Sequence, residues 1–476
     1  MTNSAEPRLP QTLPLEVYKA RRQTLLEALK THPMLDRERG GQAAAVFFSP
    51  AVATRNSDVD HPFRPSSDIH FLTGFAEPEA TLVFLPGRAE GEVVLFLRPR
   101  DVDAEIWNGR RLGLERAPDA LGVDEVFTST HAQSKLGSLL YGRQLVACAL
   151  SEPGTGAKVA KAVQQARRYA SKKGWAPSAI VDVAELVHAQ RLVKDATEIE
   201  RLQTAVELSA QGHIQAMRHT RPGTTERALE AELIHTYLRG GAQRHGYPPI
   251  VAAGDNACIL HYNENEDIVE DGELVLIDSG AEVDHLTGDI TRTWPANGKF
   301  SDAQRELYDI VLDANEQCIA AVTVGNTWEN VHNLARRVLA EGLVKVGLLD
   351  GDVDALTTKV RSDNDPAWGQ GKAPIDRFYM HGTGHWLGMD VHDVGLYHIG
   401  DDKTRFAAGM SLTIEPGLYI PNDDDIPEKY RGIGIRIEDN IVVAEAGPVN
   451  LSASCPKTVD AIEAVVGAAF SDGQGE

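Results

Sequence analysis

Four acidic residues stand at the ends of apolar, strand-like runs, and that placement constrains the fold of this chain more than any other feature. Asp278 closes the run Leu274 to Ile277, Asp289 opens the next at Ile290, Glu415 follows Ile414, and Glu438 follows Ile437. An ionised carboxylate among apolar neighbours is costly unless it is paired, protonated or bound to a cation. Asp289 follows Asp278 by eleven positions. If their strands form a hairpin turning near Val283 to Leu286, the two carboxylates lie opposite or diagonal to one another, within about 5 to 8 Å on one face. A fold for this chain must therefore gather its acids where something compensates them.

The histidines point to the same place, since four of the 16 fall between His381 and His398. His381-Gly382-Thr383-Gly384-His385 has the His-x-x-x-His spacing of zinc proteases, but that motif needs a helix with a Glu beside the first His. Glycine disfavours a helix by about 1 kcal/mol per residue, so Gly382 and Gly384 predict a turn or extended backbone passing close to a site. Asp278, Asp289, His385, Glu415 and Glu438 then make an oxygen-rich donor set with one imidazole. Such a set suits two divalent cations of the harder kind, Mn²⁺ ahead of Zn²⁺ or Co²⁺, sharing bridging carboxylates.

At 476 residues the chain is long enough for two or three domains. Its formal charge of −22 argues against nucleic acid and anionic membranes as partners, because both require a basic footprint. Residues 1–14 carry no apolar signal region and no stretch is apolar enough to span a membrane, so a cytoplasmic protein is expected. Cys148, Cys258, Cys318 and Cys455 show no short spacing and are expected to be free thiols.

Residues 1–190 read as a mixed α/β domain. A helix is expected at 16–30, with strands at Ala44–Phe48, Ile69–Leu72, Thr81–Leu85, Val93–Leu97 and Leu145–Leu150, then a helix at 157–170. Asp195 with Glu198 is a capping-box signal for a long helix, which puts a domain boundary near 190. In 191–476, helices at 198–218 and 226–241 precede strand runs at 274–283 and 288–295. Helices at 302–321 and 327–346 then precede strands at 410–420 and 432–444, a succession that reads as α+β.

The segments Ile259 to Asn265, Leu276 to Gly280, Gly288 to Thr293, His381 to Gly388, Asp390 to Asp393, Thr413 to Tyr419 and Tyr430 to Asp439 resemble those of one family, the Xaa-Pro aminopeptidases (aminopeptidase P). Arg55 to Asp58 and Ala104 to Gly113 resemble that family's N-terminal domain, so the likeness runs from about residue 15 to 465. It implies a pita-bread catalytic domain behind a creatinase-type N-terminal domain, two Mn²⁺ ions per subunit, a peptide substrate with proline second, and a homo-oligomer, dimer or tetramer. Carried over by position, Asp278 would chelate one metal, Asp289 and Glu438 would bridge both, and His385 with Glu415 would hold the other. A hydroxide between the metals would attack the scissile carbonyl, and Glu415 would shuttle the proton to the leaving prolyl nitrogen. His261 and His392 correspond to histidines that bind substrate and stabilise the tetrahedral intermediate, and His381 to one near the proline side. Arg436 and Tyr419 are expected among the substrate-binding residues, with Arg436 also bracing a carboxylate together with Tyr419. Tyr247 is expected at the substrate, and Trp107 either reaches a neighbouring subunit's site or packs in the core. The polar stretch Ser362 to Asp376 is expected to be a lengthened surface loop. Prolidase, which shares the five ligands, and a non-catalytic peptide-binding module of the same fold are the alternatives.

Overall fold

The computed structural model describes residues 13–38, 40–170, 174–359 and 371–471. The chain divides into two compact units, Met1–Arg191 and Leu192–Glu476.

In the N-terminal unit, helix α1 (Leu15–Lys30) is followed by β1 (Ala43–Phe48), α2 (Ser67–Thr73), β2 (Thr81–Phe84), β3 (Val93–Leu97), α3 (Val102–Asn108) and β4 (Glu125–Thr128). Helix α4 (Ala132–Leu139), β5 (Leu145–Cys148), α5 (Thr155–Ala170) and β6 (Ala179–Asp182) come after these. The six strands form one mixed sheet in the order β4-β3-β2-β1-β5-β6. Its central strands are apolar along nearly their whole length because both faces are covered. Leu136, Val159, Ala162 and Val163 of α4 and α5 pack on Ala44, Val46, Val94 and Val146 of the sheet. The run Ile69 to Leu72, expected as a strand, lies instead within α2, where Asp68 to Thr73 are all buried and Gly74 ends the helix at φ 70°. A four-residue apolar run does not separate a strand from a buried helical turn. Helix α3 buries none of its residues, so Trp107, 85 % exposed, is not a core residue.

The C-terminal unit begins with α6 (Ala196–Arg218), whose start carries the expected capping box: the Asp195 carboxylate accepts from Glu198 N, and the Glu198 carboxylate accepts from Asp195 N. Helix α7 (Glu226–Arg239), strand β7 (Ile250–Ala253), β8 (Leu274–Ser279) and β9 (Ile290–Pro295) follow. Strands β7, β8 and β9 form an antiparallel sheet. Between β8 and β9 the chain makes a small hairpin, Ala281–Val283 with Leu286–Thr287, turning through Asp284 and His285, both at positive φ. Gly280 separates that hairpin from β8, and a Cβ there would collide with the Gly288 carbonyl. Helices α8 (Asp302–Ala320) and α9 (Trp328–Lys345) precede β10 (Ser411–Ile414), β11 (Gly417–Tyr419), β12 (Gly434–Arg436) and β13 (Asp439–Val442). Strand β10 pairs antiparallel with β13, and β11 with β12.

Residues 362–370 of the stretch expected as a surface loop lie outside the described residues. Its described end is mixed: Lys372 and Pro374 are exposed, whereas Ile375 is fully buried and Asp376 accepts a hydrogen bond from Arg336. Cys148, Cys258, Cys318 and Cys455 are free thiols, and among the described residues no helix is long and apolar enough to cross a membrane.

The Arg292 side chain locks β9 to β13 from the rear of the sheet. It is fully buried, pairs with the equally buried Asp439 at 2.8 Å, and also donates to the carbonyls of Glu438 and Cys455. Removing one member of a buried pair strands the other. Arg292→Met is expected to destabilise the C-terminal unit by about 3–5 kcal/mol, read as a lowered urea midpoint. An unchanged midpoint would show that the pair does not hold the two strands together.

Candidate active site

The functional side chains gather where β8 and β9 meet the two breaks in the later strands. Glu415 interrupts β10 and β11, and Glu438 interrupts β12 and β13, so each acid replaces a ladder position instead of continuing a strand. The Glu438 N–H donates to the Thr291 carbonyl at 3.0 Å, and the Glu415 N–H to the Thr383 carbonyl at 2.8 Å. On β8, Asp278 stands opposite Thr291, which makes Asp289 its diagonal neighbour.

These residues open into one cavity of about 500 Å³, lined by Asp278, Asp289, His385, Glu415 and Glu438 together with Tyr247, His261, His381, His392 and Arg436. His385 Nε2 lies 3.2 Å from Asp289 Oδ2 and 3.7 Å from Glu415 Oε1. Its Nδ1 lies 2.9 Å from the Trp386 carbonyl, so Nδ1–H donates there and Nε2 faces the carboxylates, which leaves Nε2 as the atom that would bind a metal once it gives up its proton. Donor atoms of Asp289, His385 and Glu438 all lie within 4.8 Å of one another.

The charges in this space do not balance without a cation or bound protons. Burial pushes the Glu438 carboxyl well above the usual range, and Asp289, Glu415 and Asp278 push it further. Burial and then Asp278 raise Asp289 against the opposing hydrogen bond to His385. Burial lifts Glu415 to about 7 despite the pull of His385 and Arg436. Burial alone would lower His385, but the hydrogen bond and charge of Asp289 carry it up to about 9. Asp278 is the exception: burial raises it, and the adjacent Arg436 overrides that and holds it below the usual range. The Tyr247 hydroxyl stands 2.5 Å from both Asp278 Oδ1 and Asp289 Oδ1, and its single proton can serve only one of them. A donor set of this kind fits divalent metal, which would replace the protons.

Around the donors runs a layer that fixes them. Arg436 donates to Asp278 Oδ2 at 2.7 Å, to the Tyr419 hydroxyl at 3.0 Å and to Thr291 Oγ1 at 3.1 Å. The Thr291 hydroxyl in turn donates to Glu438 Oε2 at 2.7 Å. His381 Nδ1 is 2.7 Å from the Gly382 carbonyl and its Nε2 is 2.8 Å from the Tyr419 hydroxyl. Burial, then the charge of Arg436, depress His381 to about 3 and keep it neutral. Its Nδ1–H therefore donates to Gly382, and Tyr419 donates to Nε2.

Of the other residues singled out in the sequence, Tyr419 is buried behind His381 and is not among the cavity's lining residues, and Trp107 belongs to the exposed helix α3 of the N-terminal unit. Tyr247 does line the cavity, with its hydroxyl engaged by the two aspartates. His398 of the histidine cluster sits on an exposed two-strand hairpin and does not line the cavity. Thr291, Asn440 and Thr383 went unassigned in the sequence. Asn440 Oδ1 accepts from Asp289 N at 2.9 Å, and the Thr383 hydroxyl meets Tyr379 and His332. Thr291 stands two residues after Asp289, and Asn440 two after Glu438. A period-2 reading of the strands would have placed them on the same face as the acids.

A model of metallopeptidase family M24 matches residues 200–445, and one of the aminopeptidase P N-terminal domain matches residues 18–147. The chain belongs to family M24. It is a metallopeptidase with an aminopeptidase P type N-terminal domain, and the α+β architecture expected from the sequence is the one it has. It is 44 % identical to the Xaa-Pro aminopeptidase of Escherichia coli strain K12 over 95 % of this chain and 98 % of that protein. The structure of Pseudomonas aeruginosa aminopeptidase PepP superposes with a TM-score of 0.88 at 41 % identity, covering 97 % of this chain and 99 % of that one. Zinc-substituted Escherichia coli aminopeptidase P in complex with product gives 0.86 at 42 % identity, over 96 % and 99 %.

For a metallopeptidase the protonation pattern has a measurable consequence. In the metal-free protein the raised groups favour their protonated forms: Glu415 with a folded pKa of about 7, and His385 with one of about 9. Their contribution to stability is present below the unfolded pKa values and is lost as pH rises, first through that of Glu415 and then through that of His385. The chelated protein is thus expected to melt progressively lower from pH 5 to pH 9, and added Mn²⁺ to bind more tightly, with proton release, over the same range. Melting curves and calorimetry in two buffers of different ionisation heat check this. A pH-independent Mn²⁺ affinity would contradict it.

Proposed function

We propose that this protein is a metal-dependent exopeptidase that removes the first residue from peptides with proline in second position. The observation that carries the reading is the buried convergence of Asp278, Asp289, His385, Glu415 and Glu438 on one cavity beside three histidines. The resemblance to the Escherichia coli enzyme named Xaa-Pro aminopeptidase supplies the substrate class. The five residues would hold two divalent cations, Mn²⁺ by preference, with Co²⁺ or Zn²⁺ compatible with the same donors. Such cations, when bound, bring a shared water's pKa toward neutrality and polarise the scissile carbonyl, so no Ser or Cys nucleophile is required.

The protein's own groups do the rest. Glu415, which faces the cavity, would take the proton given up by the attacking water and pass it to the prolyl nitrogen as that nitrogen leaves. His261 and His392 face the same cavity and hold the substrate's carbonyl oxygen as charge develops on it. His381, kept neutral and oriented by Tyr419, borders the proline side. Arg436 keeps Asp278 ionised and in place. An Xaa-Pro bond is a tertiary amide without N–H, so a pocket that offers that nitrogen no acceptor and accommodates the ring selects it over ordinary peptide bonds.

A cytoplasmic homo-oligomer, dimer or tetramer, is the setting we infer. Trp107 on the exposed face of α3 is available to a neighbouring subunit, as the family resemblance suggests.

The test compares an Xaa-Pro-Xaa tripeptide, an Xaa-Pro dipeptide and a tripeptide without proline, using chelated protein with and without Mn²⁺. Mn²⁺-dependent release of the first residue from the proline tripeptide alone is expected. Cleavage confined to the dipeptide would make the protein a prolidase, and no cleavage with any metal would leave the peptide-binding reading. Asp289→Ala is expected to abolish both Mn²⁺ binding and turnover, and retained Mn²⁺-dependent turnover would remove Asp289 from the ligand set.

A further inference from the structure

The His261 loop owes its shape to a carboxylate that does not line the cavity. Glu226, the first residue of α7, is fully buried. Its Oε1 accepts hydrogen bonds from Ala253 N at 2.8 Å and Asn256 Nδ2 at 3.2 Å. Its Oε2 accepts from the Tyr262 hydroxyl at 2.8 Å and Asp267 N at 2.9 Å. The Glu226 N–H donates back to the Asp267 carbonyl at 2.9 Å. All four donors are neutral and all belong to one stretch, 253–267, that leaves β7 and presents Leu260, His261 and Asn263 to the cavity.

Burial along that stretch separates anchor from tool. Tyr262 and Asn265 are buried, whereas His261 and Asn263 are exposed. Asn265 takes positive φ at 52°, accepts from Val251 N at 3.1 Å and donates to the Pro249 carbonyl at 2.9 Å. The stretch has no strand partner after β7, and within it the backbone closes only the 3₁₀ turn Gly254–Cys258 and the turns of Ile259 N on the Asn256 carbonyl and Tyr262 N on the Ile259 carbonyl, so side-chain hydrogen bonds carry much of its path.

We propose that Glu226 is a positioning residue for His261, acting through Tyr262 and the backbone at both ends of the loop. The proposal rests on the reading of the cavity as a proline-directed peptidase site in which His261 meets the substrate. Glutamine is the informative replacement because it has the same shape and one acceptor fewer. Whichever way its amide is turned, the NH₂ group faces a backbone N–H, that of Ala253 on one side or Asp267 on the other.

The experiment is a double-mutant cycle in the full chain loaded with Mn²⁺, comparing wild type, Glu226→Gln, His261→Ala and the double variant on an Xaa-Pro-Xaa tripeptide. Glu226→Gln alone is expected to lower kcat/KM by about tenfold or more, as a displaced reacting group does. In the His261→Ala background the further loss should shrink below about twofold. Mn²⁺ affinity should stay within about twofold of wild type, whereas damage to the metal's supporting groups would cost 10-fold to 100-fold. An equal loss in both backgrounds, an unchanged kcat/KM in Glu226→Gln, or a matching fall in Mn²⁺ affinity would each overturn the proposal. If Glu226→Gln does not fold, Tyr262→Phe, which deletes one hydrogen bond beside His261, carries the same cycle under the same criteria. If wild type cleaves no proline tripeptide, the activity reading fails by itself and the tether is judged by amide hydrogen exchange. Faster exchange confined to 254–267 in Glu226→Gln would support it, and unchanged exchange would overturn it.

Discussion

Mutual repulsion among buried carboxylates organises this molecule. Asp278, Asp289, Glu415 and Glu438 converge on one cavity with a single imidazole among them, and Arg436 compensates only Asp278 directly. The remaining acids are raised toward their neutral forms, and His385 toward its charged form, in a cavity where burial weakens screening by water. That stored repulsion is a demand for positive charge. A divalent metal meets it, and the metal-free site meets it with protons.

The sheet tolerates this because each strand has two faces. Alternation sends Thr291 and Glu438 toward the cavity, where the threonine hydroxyl bonds the glutamate, and sends Arg292 and Asp439 to the opposite side, where they form a buried ion pair. One crossing of two chain segments thus carries both a group left short of positive charge and, one residue along, a pair that is fully compensated. Lys457 adds a second cation to Asp439 at 2.9 Å, and Ser452 donates to the same carboxylate. The rear pair anchors what the front leaves unbalanced. Interrupting the strands at Glu415 and Glu438 extends the same logic, since a residue freed from the ladder can aim its side chain where strand geometry would not.

Much of this was legible before any coordinates. An acid at the end of an apolar run is a local signal, and so are the capping box at Asp195 and Glu198 and the two glycines that exclude a helix around His385. The hairpin that sets Asp278 diagonal to Asp289 follows from strand length and turn position. Local signals also misled. Ile69 to Leu72 is apolar enough for a strand, yet it is a helical turn, because what surrounds a four-residue run, and not its composition, decides between the two. Tyr419 was expected beside Arg436 and stands there, but its second bond, to His381, came only with the packed structure.

Residue types and their spacing settled which side chains would be expensive to bury alone, and therefore that they must meet around positive charge. That conclusion needs only the solvation energy of a carboxylate and the two-residue period of a strand. Folding in three dimensions decided which groups support them: Thr291 on Glu438, Asn440 on the backbone of Asp289, and Glu226 beneath the loop of His261. Threonine, asparagine and a buried glutamate have no distinctive pattern along the chain. Their partners lie from 27 to 151 residues away in sequence, and a hydrogen bond depends on separations of a few ångströms that only the packed structure sets.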